Sequence, residues 1–162
     1  MSPSSCTRES SSLGRPWSGC ACLMGLASAG GDGDAAAELR SFGSRIGLAF
    51  QLLDDVLDVT GPAERTGKAR GTDLLDGTVT LPLILASDRD RGLRSANLRG
   101  LDPAGAERLC ERIAASGALE EVRSQALAMV AEAKAGIGGS AFDDEQRDLL
   151  GLVADGVVER YS

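Results

Sequence analysis

The chain has 162 residues, 43% hydrophobic and only 3% aromatic, which suits one globular domain of helices packed through small side chains. Its formal charge of -7, from 24 acids against 17 bases, opposes nucleic acid as a partner. It contains no histidine, which excludes histidine acid–base chemistry, Ser-His-Asp triads and histidine metal sites; any metal would have oxygen ligands and be magnesium, calcium or manganese.

Residues 1–17 are rich in Ser, Gly and Pro, without an apolar period, and are expected to be disordered. Residues 18–162 form the helical domain. The first thirty residues loosely imitate a secretory signal with an "ASA" triplet, but Gly19 and Gly25 interrupt the apolar run and Glu9 spoils its charged end. Cys6, Cys20, Cys22 and Cys110 match neither a zinc set nor a disulfide framework, and are read as reduced thiols of a cytoplasmic chain. No stretch approaches the ~20 apolar residues of a membrane span. A short helix is expected over 17–29 and a loop over 30–34, with Asp34 as N-cap of a long helix from Ala35 to Val59. Residues 60–80, rich in Gly and charge, read as a long functional loop. Helix resumes near Leu81, with Pro82 in its first turn, and again after Asp102 as N-cap with Pro103 following. In the next helix Leu119, Val122, Ala126, Met129, Val130 and Ala133 share one face, and "GIGG" ends it. "DDEQRDLLGLVADGVVERY" is a final amphipathic helix. The fold class is all-α, with no strand signal.

The segment "GLAFQLLDDVLDVTG", residues 47–61, carries the most chemistry. On a helix Asp54, Asp55, Asp58 and Gln51 fall within an arc of about 100°, opposite an apolar stripe that contains Ala49, Leu52, Leu53 and Val56. Gly43 and Gly47 lie on the polar arc. Each costs a helix about 0.5–1 kcal/mol relative to alanine, and together they clear a trough leading to the acids. Asp54 and Asp58, one turn apart, can share a hard cation, and Asp55 can reach another through water. Carboxylates without histidine suit a magnesium bridge to a diphosphate, since magnesium keeps waters and takes phosphate oxygens. Arg65, Lys68 and Arg70, interleaved with Gly67 and Gly71, supply the matching positive charge. Asp73 and Asp76 are read as caps or as partners of these cations. The plain alternative is a solvated acidic face.

"GLAFQLLDDVLDVTG" followed by "GKARGTDLLDGTVTLPLILA" resembles the second aspartate-rich motif and following loop of the all-trans polyprenyl diphosphate synthases. That family's order is F-Q-x-x-D-D-x-x-D, then G-K-x-x-G-x-D-L, then T-L-P. The closing "VVERY" is also similar. The resemblance runs from about residue 18 to the end. It implies a helical bundle with aspartate-rich helices facing a central cavity, and three magnesium ions held between two such motifs. It implies an allylic diphosphate that ionises to a carbocation, attack by isopentenyl diphosphate, and loss of a proton. By the same resemblance Asp54, Asp55 and Asp58 are metal ligands, Phe50 and Gln51 line the substrate side, and Lys68 binds the leaving diphosphate.

The first aspartate-rich motif and the family's upstream basic residues have no counterpart here. The family's lysine–threonine pair would fall at Leu13 and Gly14, and Thr78 stands where a lysine is common. The chain is therefore expected to be the C-terminal half of a synthase, from a truncated or frame-disrupted gene. The apolar arc of helix 35–59, roughly 180°, is expected to be left partly uncovered, and so to drive a homo-oligomer or association with another synthase chain. The competing function is a non-catalytic partner, or inactive remnant, that binds another synthase chain or magnesium diphosphate. Product chain length is not legible.

Overall fold

The computed structural model describes Gly25 and residues 33–61, 70–138 and 141–161. The segment 1–17, the expected helix 17–29 apart from Gly25, and the loop cations Arg65 and Lys68 lie outside the described residues. All regular structure among the described residues is helix: α1 (Gly33–Thr60), α2 (Thr72–Leu75), α3 (Leu81–Arg89), α4 (Arg91–Arg94), α5 (Pro103–Ala115), α6 (Ala118–Gly136) and α7 (Asp144–Glu159). The long helix starts two residues early, so Asp34 lies inside α1 rather than capping it.

Its most extensive partner is α6, and α2, α3, α5 and α7 also touch it. The α1–α6 seam is built on small residues: Ala49 and Ala126 are fully buried, flanked by Leu53 and Val56 on one side and Val122 and Val130 on the other. Small side chains let the two backbones approach closely, and dispersion at that distance replaces bulk. A second core joins the end of α1 to α2, α3 and α5 through Val59, Leu74, Leu83, Ala106, Cys110 and Ile113.

Helix ends follow the expected chemistry. Asp102 accepts from the backbone N–H of Gly105 at 2.7 Å, with Pro103 next in line. Asp143 and Gln146 form a reciprocal capping box on α7, at 2.8 and 3.1 Å. Nothing in the sequence points to the short helices α2 and α4, because single turns leave too little periodicity to see.

One expectation holds only in part. The apolar stripe of α1 is mostly covered: Ile46, Ala49, Leu52, Leu53 and Val56 are buried, while Leu48 and Leu57 stay partly exposed. Helix α6 and the second core cover it from within the chain. Exposed apolar side chains lie elsewhere, at Leu149, Leu152 and Val153 on α7, Val79 and Ile84 around the start of α3, and Leu127 on α6.

Candidate functional site

The last turns of α1 carry Phe50, Gln51, Asp54, Asp55 and Asp58, and each acid has its own surroundings. Asp54 is half-buried and accepts a 2.6 Å hydrogen bond from the Tyr161 hydroxyl. Asp55 is only 7% exposed and accepts from the Gln51 amide at 2.9 Å. Burial pushes the Asp55 carboxyl above the usual range; the Gln51 bond opposes this, and the charges of Asp54 and Asp58 add to it. The acid face is therefore not a uniformly solvated one: Gln51 is exposed, but Asp55, on the edge of the core stripe, is covered. The glycine trough is closed at Gly43, which is buried, and half-open at Gly47.

Asp58 organises the segment that returns to the helix. Its main-chain carbonyl accepts from Gly71 N at 2.9 Å, and its carboxylate accepts from Thr72 N at 3.1 Å and Asp73 N at 3.2 Å. Three successive backbone donors thus close on one residue. The turn needs glycine at 71, where φ is +75° and a Cβ would sit 2.8 Å from Cys110 Sγ. The N–H groups of Gly71, Thr72 and Asp73 are thus turned to Asp58. Arg70 likewise faces inward, bonding the Val59 carbonyl and pairing with Glu107. It fastens the loop to α1 and α5.

This return brings a fourth carboxylate to the site. Asp73 is half-buried, and its pKa is pushed up to about 6, first by burial and then by the charges of Asp58, Asp55, Asp76 and Asp54. In sequence it stands as the aspartate of the G-K-x-x-G-x-D-L pattern, read as a cap or a cation partner; its distance from Asp58 along the chain hides the contact. Gly71 holds the N-cap of α2 and Asp73 lies in its first turn, while Asp76 is its C-cap.

Phe50 supplies the apolar border. Its ring meets Tyr161 edge-to-face at 5.7 Å, and the Arg160 guanidinium lies over it at 5.2 Å. In sequence Arg160 and Tyr161 stand as the tail of an amphipathic helix, within the family-like "VVERY". They return to the acid helix across 107 positions, a distance that no local pattern encodes. Burial, followed by the bond to Asp54, raises the Tyr161 phenol, so it stays protonated and able to donate.

The donor set is all oxygen and all carboxylate, which fits a hard divalent cation; burial, with the neighbouring acids adding to it, raises the proton affinity of Asp55 and Asp73. No group of three acids among the described residues is placed to hold such an ion unaided. Water or phosphate oxygens would complete its shell.

Comparison with known proteins identifies the family and the fold. The polyprenyl synthetase family model matches residues 17–109, more than half of the chain. The geranylfarnesyl diphosphate synthase of Natronomonas pharaonis is 35% identical over 133 residues, which span 81% of this chain and 38% of that protein. A polyprenyl synthase from Caulobacter crescentus, solved with calcium and isoprenyl diphosphate, superposes with a TM-score of 0.77 at 37% identity, over 90% of this chain and 46% of that one. The geranylgeranyl pyrophosphate synthase of Corynebacterium glutamicum, solved with isoprenyl diphosphate and magnesium, gives 0.73 at 32% identity, over 85% and 41%. The chain thus spans less than half the length of these relatives.

Proposed function

The chain belongs to the polyprenyl synthetase family, and from that membership we propose that its acidic helix end is the diphosphate-binding half of a prenyltransferase site. The reaction joins an allylic diphosphate to isopentenyl diphosphate. The allylic C–O bond breaks, a C–C bond forms to isopentenyl diphosphate, and a proton leaves; diphosphate is the leaving group. The observation that carries the reading is the gathering of Asp54, Asp55, Asp58 and Asp73 around one helix end, where burial first, and neighbouring acids after it, lift the proton affinity of Asp55 and Asp73.

Asp54, Asp55 and Asp58 would hold magnesium, which supplies the positive charge that makes diphosphate a better leaving group. Asp54 faces the Phe50 side of the helix and is the most direct ligand. Gln51 holds the Asp55 carboxylate in place through its amide. Phe50 and Gln51 border the substrate. Lys68 binds the departing diphosphate. The chain is cytoplasmic, as its free Cys110 thiol suggests; no helix among the described residues is long and apolar enough to cross a membrane.

A second reading is a non-catalytic partner of another synthase chain, and the exposed Leu149, Leu152 and Val153 favour it. The test is elongation of a farnesyl or geranylgeranyl starter by isopentenyl diphosphate in magnesium, with Asp54→Ala as control. Turnover lost in the variant supports the prenyltransferase. No turnover, with binding of magnesium diphosphate that Asp54→Ala abolishes, supports the partner or remnant. The absence of both turnover and binding sinks the prenyltransferase and the diphosphate-binding remnant, and leaves a structural partner of another synthase chain, which Asp54→Ala would not disturb.

A further inference from the structure

Among the described residues, Tyr161 touches the acid helix at two levels. Its ring packs edge-to-face on Phe50, while its hydroxyl donates to Asp54 Oδ1 at 2.6 Å. Phe50 and Asp54 are one helical turn apart on the same face, so one tyrosine can span both. The residue is buried, at 9% exposure, so its hydroxyl needs an acceptor. That acceptor is the carboxylate of a candidate ligand. Arg160 seals the arrangement from outside, with its guanidinium 5.2 Å from the Phe50 ring centre and 5.7 Å from that of Tyr161.

The torsion that turns a carboxylate about its last bond is broad and poorly defined by sterics alone. A half-buried Asp54 would sample many orientations and lose entropy on binding an ion. A short hydrogen bond to one oxygen removes that freedom and leaves Oδ2 outside the bond.

Resting on the reading of Asp54 as a ligand, we propose that Tyr161 is a positioning residue, whose hydroxyl orients the Asp54 carboxylate for a divalent cation. The role is carried by the hydroxyl; the ring serves packing. Hydrogen-bond partners behind a metal ligand typically contribute about 10–100-fold in affinity.

The experiment is a Mn2+ titration of the full chain followed by electron paramagnetic resonance, with thermal melts in parallel, on the wild type, Tyr161→Phe, Tyr161→Ala and Asp54→Asn. Tyr161→Phe keeps the ring contacts with Phe50 and Arg160 and removes only the donor. The expected result is Mn2+ affinity weaker by about 10-fold with a melting temperature near that of the wild type, while Tyr161→Ala lowers both. Equal affinity in the wild type and Tyr161→Phe overturns the role of Tyr161 and leaves the metal site standing. A Tyr161→Phe chain whose melting temperature falls together with its affinity marks a structural residue and also overturns it. A wild type that binds no Mn2+ overturns the metal site and the role together.

Discussion

Gly71 shows how tightly the return to the acid helix is specified. Its left-handed φ of +75°, and the 2.8 Å that would separate Cys110 Sγ from an added methyl group, penalise alanine twice. Gly71→Ala is expected to cost about 1–3 kcal/mol in chemical denaturation. Adding Cys110→Ala should recover the steric part and leave the backbone part. Burial pushes the Cys110 thiol up to about 11, against the opposing charge of Arg70. In the folded chain it should therefore react slowly with iodoacetamide at neutral pH, and quickly once urea opens the second core. Asp90 has the opposite character. Its bonds to the Arg112 guanidinium and to Gly92 N hold its carboxyl below the usual range. Its contribution is complete above the ordinary carboxylate pKa, and is lost as pH falls through the lower folded value. Asp90→Asn should flatten the acid side of the stability profile and leave the alkaline side unchanged.

At the level of elements, the α1–α6 seam sets the frame that holds the acids. Ala49 and Ala126 are fully buried there, so the interhelix distance depends on small side chains. Ala126→Leu should destabilise by about 1–3 kcal/mol through overpacking, and a thermal melt would read it. Helix α7 begins on the Asp143 capping box and delivers Arg160 and Tyr161 to Phe50 and Asp54. Asp143→Ala removes a side-chain cap and should cost about 1 kcal/mol. A larger loss would show that α7 is less firmly held by its packing than its cap chemistry suggests.

Across the chain as a whole, the acidic helix end and the exposed apolar stripe face different tasks. Leu149, Leu152 and Val153 follow a helical spacing and are each more than half exposed. Such a stripe favours association. Sedimentation velocity should show concentration-dependent association that Leu152→Glu reduces; unchanged monomers at every concentration would count against a partner on α7. The net charge of -7 opposes self-association at low salt, so the effect should grow as salt screens it.

The helical class, the long acid helix, the Asp102 cap and the family are legible from residue order alone, because helical period, cap residues and a contiguous motif are local patterns. The same holds for Asp54, Asp55 and Asp58 on one arc, since spacing along a single helix suffices to bring them there. Packing supplies the rest. It covers most of the apolar stripe of α1, turns Arg70 to Glu107 and Val59 and the N–H groups of Thr72 and Asp73 to Asp58, and adds Asp73 to the acids. It also sets Tyr161 on Asp54. Each of these joins residues from separate elements, and burial and hydrogen bonding between distant segments depend on how helices pack rather than on any one helix's period.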